Sequence, residues 1–260
     1  MAYMIPVARA SGKVRPLYLQ PMERSAALEA VFEPVTSPSA FEETVERLGT
    51  AIRLGLLSPG TRLPSERDLA AELEISRSTL RQALTALVQS GLLLSVRGRG
   101  GGTFVTESPP LSVGSTEQIE SRLRAVLDYR IVIETGAAVL AAERAGDDDL
   151  GRMAALVDQM AATERFEEYR RADIRFHISV AEATGSSRLV SAMTEVQAEL
   201  SEAIALIPHP EEVLTRSNAQ HRRLVATLSR RDSGRAVREI REHLEGTEHI
   251  LFGLMPAAPG

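Results

Sequence analysis

The chain has no cysteine, no tryptophan and a single lysine, Lys13, against 29 arginines. Without thiols there can be no disulfide, no thiolate metal site and no Cys nucleophile. No run approaches the ~18 apolar residues of a membrane span. The opening stretch, MAYMIPVARASGKVRP, has no long apolar segment, so no signal peptide is expected and the expected compartment is the cytoplasm. Also missing are HExxH, a nucleophile elbow, a Walker loop and a dinucleotide fingerprint. The glycine-rich run at residues 98–102 lies between two strand-like segments, whereas a nucleotide-binding loop leads into a helix.

What is present fits a normal globular chain. There are 260 residues, 43% of them hydrophobic, with a net charge of −5. That charge argues against a nucleic-acid partner, because nonspecific affinity comes from neutralising phosphates. The charge is not evenly spread, however. Residues 1–110 carry 12 basic and 11 acidic side chains, and residues 111–260 carry 18 and 24. Residues 76–105 hold Arg77, Arg81, Arg97 and Arg99 and no acid.

Periodicity and punctuation divide the chain into four parts. Residues 1–38 carry five prolines and no sustained period, and read as an extended or partly disordered tail with one short helix near residues 22–32. Residues 39–107 read as a winged helix-turn-helix. Ser39-Ala-Phe-Glu42 resembles a capping box, and Phe41, Val45, Leu48 and Ile52 follow at helical spacing. A short helix after Pro64-Ser65 and another from Ser76 to Gly91 flank a tight turn at Glu74-Ile75. Two strands around the glycine-rich tip then form a hairpin. Residues 108–116 are a linker. Residues 117–255 read as helices near 117–145, 148–164, 166–184, 187–206, 212–230 and 233–253, an antiparallel bundle. The fold class is mainly α: an α+β reader followed by an all-α bundle.

On the helix after Ser76, Leu80, Ala83, Leu84 and Leu87 share one side, while Ser78, Arg81, Gln82 and Thr85 share the other. A recognition helix places such a polar side in the major groove. Arginine suits that role because its planar fork matches guanine O6/N7 or phosphate.

The segments LSPGTRLPSERDLA (57–70), ISRSTLRQAL (75–84) and GRGGGTFV (98–105) resemble a GntR-type winged helix-turn-helix. The resemblance implies a double-stranded DNA operator. It assigns DNA contacts to Arg67, to Ser76, Arg77, Ser78, Thr79 and Arg81, and to the wing residues Arg97, Gly98, Arg99 and Gly100.

The bundle holds all five histidines: His177, His209, His221, His243 and His249. Asp173 and His177 are one turn apart on an apolar helix face. His221 and His243 each lie in the apolar stripe of their own helix. Imidazole with carboxylate suits Zn²⁺, Ni²⁺, Mn²⁺ or Fe²⁺. Four such ligands on an octahedral ion leave two positions open. Taken alone, the Asp173/His177 pair also fits a simple hydrogen bond. His209, between two prolines, and His249, near the end, read as bystanders. Asp147-Asp-Asp149 lacks calcium-loop spacing and reads as complementing a helix dipole. Arg130 sits among apolar neighbours, and either bridges to Glu134 one turn on or clamps an effector carboxylate.

Asp173-x-x-x-His177, His221, His243-Leu244 and Tyr129-Arg130-x-x-x-Glu134 resemble the FCD ligand-binding domain of the FadR subfamily of GntR regulators. The resemblance implies a divalent ion on Asp173, His177, His221 and His243, and a small organic acid as effector. Together these features predict a ligand-responsive bacterial transcription factor, not an enzyme, that binds a palindromic operator as a homodimer. Repression is the commoner mode of the resembled family. Two alternatives share the same ligands: a regulator that senses the metal itself, and a metal-dependent hydrolase fused to a DNA-binding head.

Overall fold

The computed structural model describes residues 30–36, 38–98, 101–107 and 116–255. The tail up to residue 29, the linker from 108 to 115, Arg99 and Gly100 lie outside the described residues.

The reader opens with α1 (Ala40–Arg53), whose Phe41, Val45, Leu48 and Ile52 are all buried. Ser39 makes no side-chain cap hydrogen bond there, so the predicted capping box does not form. Its partner, Glu42, is buried and faces an internal cavity of the bundle. Helix α2 (Glu66–Glu72) starts at Ser65, whose hydroxyl accepts from the Asp68 N–H. Glu74, at a φ of 53°, makes the turn. Helix α3 (Arg77–Gln89) starts at Ser76, whose hydroxyl accepts from the Thr79 N–H at 3.0 Å. Both caps satisfy helix N–H groups that have no intrahelical acceptor. Strands β1 (Leu93–Val96) and β2 (Gly102–Val105) pair antiparallel, with Leu94 opposite Phe104. Residues 60–63 run along the free edge of β2, with Leu63 N–H bonded to Thr103 O and Val105 N–H to Thr61 O. Phe32 and Val35 are buried as well, and Val35 N–H bonds Leu73 O at 2.9 Å. This part of the predicted tail is therefore packed structure.

The bundle comprises α4 (Thr116–Arg144), α5 (Asp147–Ala162), α6 (Phe166–Glu182), α7 (Ser187–Ile204), α8 (Glu211–Leu228) and α9 (Ser233–Leu254). Its core combines small residues of α4, such as Ala137, Ala138 and Ala141, with Met153, Phe176, Met193, Leu224 and Ile240. Asp149 accepts from the Gly146 N–H at 2.9 Å, so this acid completes the start of α5 as the dipole reading expects. Among the described residues no helix is long and apolar enough to cross a membrane.

The two halves share one core, in which Leu200, Ile207, Leu251 and Phe252 join the reader's apolar residues. Helices α1 and α9 meet backbone to backbone. A Cβ on Gly49 would fall 1.9 Å from the Gly253 carbonyl oxygen, and one on Gly253 would fall 2.6 Å from Glu46 Cα. His249 of α9 bonds Glu46 of α1. At the other side, Arg216 of α8 donates to Gln82 of α3 at 2.8 Å, and Gln89 accepts from the Glu211 N–H at 3.2 Å.

Candidate metal centre and DNA-reading face

Four inward positions on α6, α8 and α9 converge, as the apolar stripes predict. His221 Nε2 lies 3.2 Å from His243 Nε2. Asp173 Oδ1 lies 3.5 Å from His221 Nε2 and 3.8 Å from His177 Nε2. The longer distance is beyond a hydrogen bond, so Asp173 and His177 are not simply paired with each other. Ligand nitrogens of the three histidines lie within 4.8 Å of one another, and all four residues are buried.

Two of the rings have further polar neighbours outside the cluster. His177 Nδ1 is 2.6 Å from Glu134 Oε2, and His243 Nδ1 is 3.0 Å from Gln220 Oε1. Such contacts favour a proton on Nδ1 and leave the Nε2 lone pair facing the centre. Burial pushes the pKa of His221 down to about 3 and that of His243 well below the usual imidazole range. Both rings are therefore neutral near pH 7, the form that ligates a metal. Two neutral Nε2 atoms at 3.2 Å repel unless a proton or a cation lies between them. Burial raises the carboxyl of Asp173, but neighbouring cations, Arg170 first, outweigh it and hold the group below its ordinary value. The donor set is thus three imidazoles and one carboxylate, a hard-to-borderline combination for a divalent ion.

A second shell of charge surrounds this set. Burial raises Glu134, but Arg130 and His177 outweigh it and bring the carboxyl to about 2. Arg130 is 2% exposed. Its Nε donates to Glu134 Oε1 at 2.6 Å, and its Nη2 lies 3.4 Å from His243 Nε2. Arg130 Nη1 is buried with no hydrogen-bond partner. Arg130 thus makes the predicted bridge and still has a donor to spare. Arg170 holds Asp173 Oδ2, and its Nη2 donates to Gln197 Oε1 at 3.2 Å. Gln197 in turn donates to Glu134 Oε1 at 3.1 Å.

Arg130, Arg170, Asp173 and His243 all line a cavity of about 80 Å³. His209 is in its wall, stacked on Phe166 with ring centroids 3.3 Å apart. His209 and His249 stand outside the three-histidine group, as expected of bystanders to it; His209 is part of the cavity wall and His249 joins the two halves. Sequence reasoning did not single out Arg170, Gln197, Gln220 or Glu42. A helical wheel signals Arg170, one turn before Asp173, and Gln220 adjoins His221. Nothing local signals Glu42, which reaches the cavity from the reader.

On the reader, Arg67, Ser76, Arg77, Ser78, Arg81, Arg97 and Gly98 are exposed and Thr79 is half-buried. The Ser76 hydroxyl is occupied by its cap and by Ser78 and Thr79. Arg81 donates through Nε and Nη2 to Glu66 Oε2, at 3.1 and 3.0 Å. Among the described residues, Arg67 donates to its neighbour Asp68 at 3.3 Å. Arg62, absent from the sequence reading, anchors the wing by donating to Gly101 O at 2.7 Å.

Residues 41–105 match the bacterial regulatory proteins of the gntR family, and residues 125–246 match the FCD domain. RmpR of Mycobacterium gastri, named as an HTH-type transcriptional regulator, is 33% identical over 211 residues, covering 77% of this chain and 76% of that protein. The chain belongs to the GntR family. LutR of Bacillus subtilis, another HTH-type transcriptional regulator, is 29% identical over 214 residues, covering 78% of the GntR chain and 96% of LutR. The Uxu operon transcriptional regulator of Escherichia coli is 28% identical over 234 residues, covering 83% and 90%. Among solved structures, E. coli McbR/YncC aligns with a TM-score of 0.46 at 21% identity, covering 82% of this chain and 97% of that one. This GntR chain is a transcriptional regulator with a DNA-binding head and an FCD domain, and not an enzyme.

Proposed function

We propose that this GntR regulator binds a palindromic operator as a homodimer and releases or grips it according to a small carboxylate held in the FCD domain. Asp173, His177, His221 and His243 would hold a divalent ion, which supplies Lewis acidity to orient the ligand's carboxylate. The observation that carries the reading is the convergence of ligand nitrogens of His177, His221 and His243 and of Asp173 Oδ1 beside the unpartnered Arg130 Nη1. Arg130 would then hold the same carboxylate by a charge-assisted hydrogen bond. Contacts to DNA fall to Arg67, Arg77, Ser78, Thr79 and Arg81, with the wing residues Arg97, Gly98, Arg99 and Gly100 on the backbone. Ser76 serves first as the cap that aims α3.

A route from ligand to reader is supported by Arg216. It lies over the Phe41 ring, 4.3 Å from its centroid, acts on the cavity-lining Glu42 and bonds Gln82 on the recognition helix. Two-fold symmetry of protein and half-sites would follow for a dimer. Coupling requires that ligand affinity differ between the free and DNA-bound states.

Elemental analysis of the purified protein beside a His177→Ala variant tests the ion: bound metal in the first and its loss in the second are expected, and equal content in both rejects the site. Operator affinity measured with and without a bound carboxylate tests the regulation; identical affinities reject the coupling.

A further inference from the structure

The cavity beside Arg130 is lined by the charged groups named above and by Glu42, but aliphatic side chains make up much of its wall: Leu200, Ile204, Ile207, Val213, Ile250 and Leu251. Several of the polar groups interspersed among them have partners within the protein. Tyr169 donates to Leu214 O at 3.3 Å and shares a hydrogen bond with Ser217. Thr247 donates to His243 O at 2.9 Å, and Gln220 Oε1 serves His243 Nδ1. The His209 ring is stacked on Phe166. Two cationic donors are left over, Arg130 Nη1 and Arg170 Nε, both buried without a partner. A ligand hydroxyl along the apolar wall would find few partners, and an unmatched buried hydroxyl costs about tenfold in affinity. Glu42 is a further wall residue, and a second ligand carboxylate would be brought against its carboxyl group.

We propose that the effector is a monocarboxylate with an unsubstituted apolar chain, and that Ile207 and Glu42 set this specificity. The carboxylate end faces Arg130, the chain lies against Ile207 and Leu251, and Glu42 rejects dicarboxylates. The volume of about 80 Å³ holds about half a dozen water-sized atoms, which matches a short chain. Sugar acids and hydroxy acids fit poorly, because their hydroxyls would be buried against the apolar side chains. The inference rests on the carboxylate site proposed above.

The test is a calorimetric titration of the full chain, its metal content measured, with acetate, butanoate, threonate and succinate. Apolar transfer predicts about fourfold tighter binding per added methylene, so butanoate should bind about fifteenfold tighter than acetate. Threonate and succinate, with the same four carbons, should bind at least tenfold more weakly than butanoate. Ile207→Asn should collapse the butanoate-to-acetate ratio toward one, a ratio taken within one protein and so insensitive to a general loss of folded material. Threonate or succinate binding as tightly as butanoate overturns the apolar-chain assignment and leaves the carboxylate site standing. Failure of all four to bind overturns the carboxylate site itself, and this inference with it. A butanoate-to-acetate ratio unchanged by Ile207→Asn removes the assigned role of Ile207.

Discussion

Arg81 shows how a single side chain can be held and still be available. Its two bonds to Glu66 join partners that are 62% and 37% exposed, and exposed pairs contribute only about 0–1 kcal/mol. A guanine edge or a phosphate can displace Glu66. Arg81→Ala should therefore weaken operator binding by about 1–3 kcal/mol if the residue reads a base. Fluorescence anisotropy across single-base operator variants checks it: loss of discrimination at one position marks a base contact, and a uniform loss marks a phosphate contact. At this scale much of the candidate metal centre was legible. Asp173, His177, His221 and His243 sit at inward positions because helical period alone decides which face a residue takes. Their outer partners were not legible across helices. Glu134 meets His177, and Gln197 meets Glu134, only after three helices pack, and no local pattern encodes those pairings.

At the scale of elements, the helices follow the expected spans to within a few residues, because Ser65, Ser76, Gly91, Gly146 and Gly185 punctuate them as caps and turns do. The exception is the start of α1. Ser39 and Glu42 have capping-box spacing, but tertiary packing takes Glu42 into the bundle cavity. The same packing explains why glycine occupies position 49 in the middle of a helix, where it is otherwise unfavourable. Helices α1 and α9 touch through their backbones at Gly49 and Gly253. Gly49→Ala places a methyl group against a carbonyl oxygen and forces the helices apart, costing about 1–3 kcal/mol despite alanine's better helix propensity. A lowered melting temperature, with earlier proteolytic cleavage between reader and bundle, is expected. An unchanged or raised melting temperature would show that the helices yield without cost.

For the whole molecule, the junction of the two halves carries a titratable group. His249 is raised above the ordinary imidazole value, first by its hydrogen bond to Glu46 and then by neighbouring acids that outweigh its burial. A histidine raised on folding contributes stability that is fully present below its unfolded value of about 6.5 and is lost as pH rises through the folded value. Thermal stability of the wild type should therefore fall between mildly acidic and mildly alkaline pH relative to His249→Gln. Melting curves of both proteins across that range test this, and parallel pH profiles would refute it. The junction was the least legible part of the molecule in the sequence. The net charge of −5 divides cleanly at the linker, so two domains were readable, but charge and periodicity do not encode which surfaces of the two meet.

The hydrogen bond from Arg216 to Gln82 places one side chain between two claimants. Gln82 lies on the outward side of the recognition helix, where a glutamine can grip adenine, and Arg216 donates to the same amide oxygen. An operator that rewards Gln82 must take that oxygen from the bundle, whereas an operator that ignores it leaves the bond intact. By reciprocity of linked equilibria, the two kinds of promoter would then set different thresholds for the same metabolite. One protein could answer a rising signal gene by gene, in an order written in the DNA.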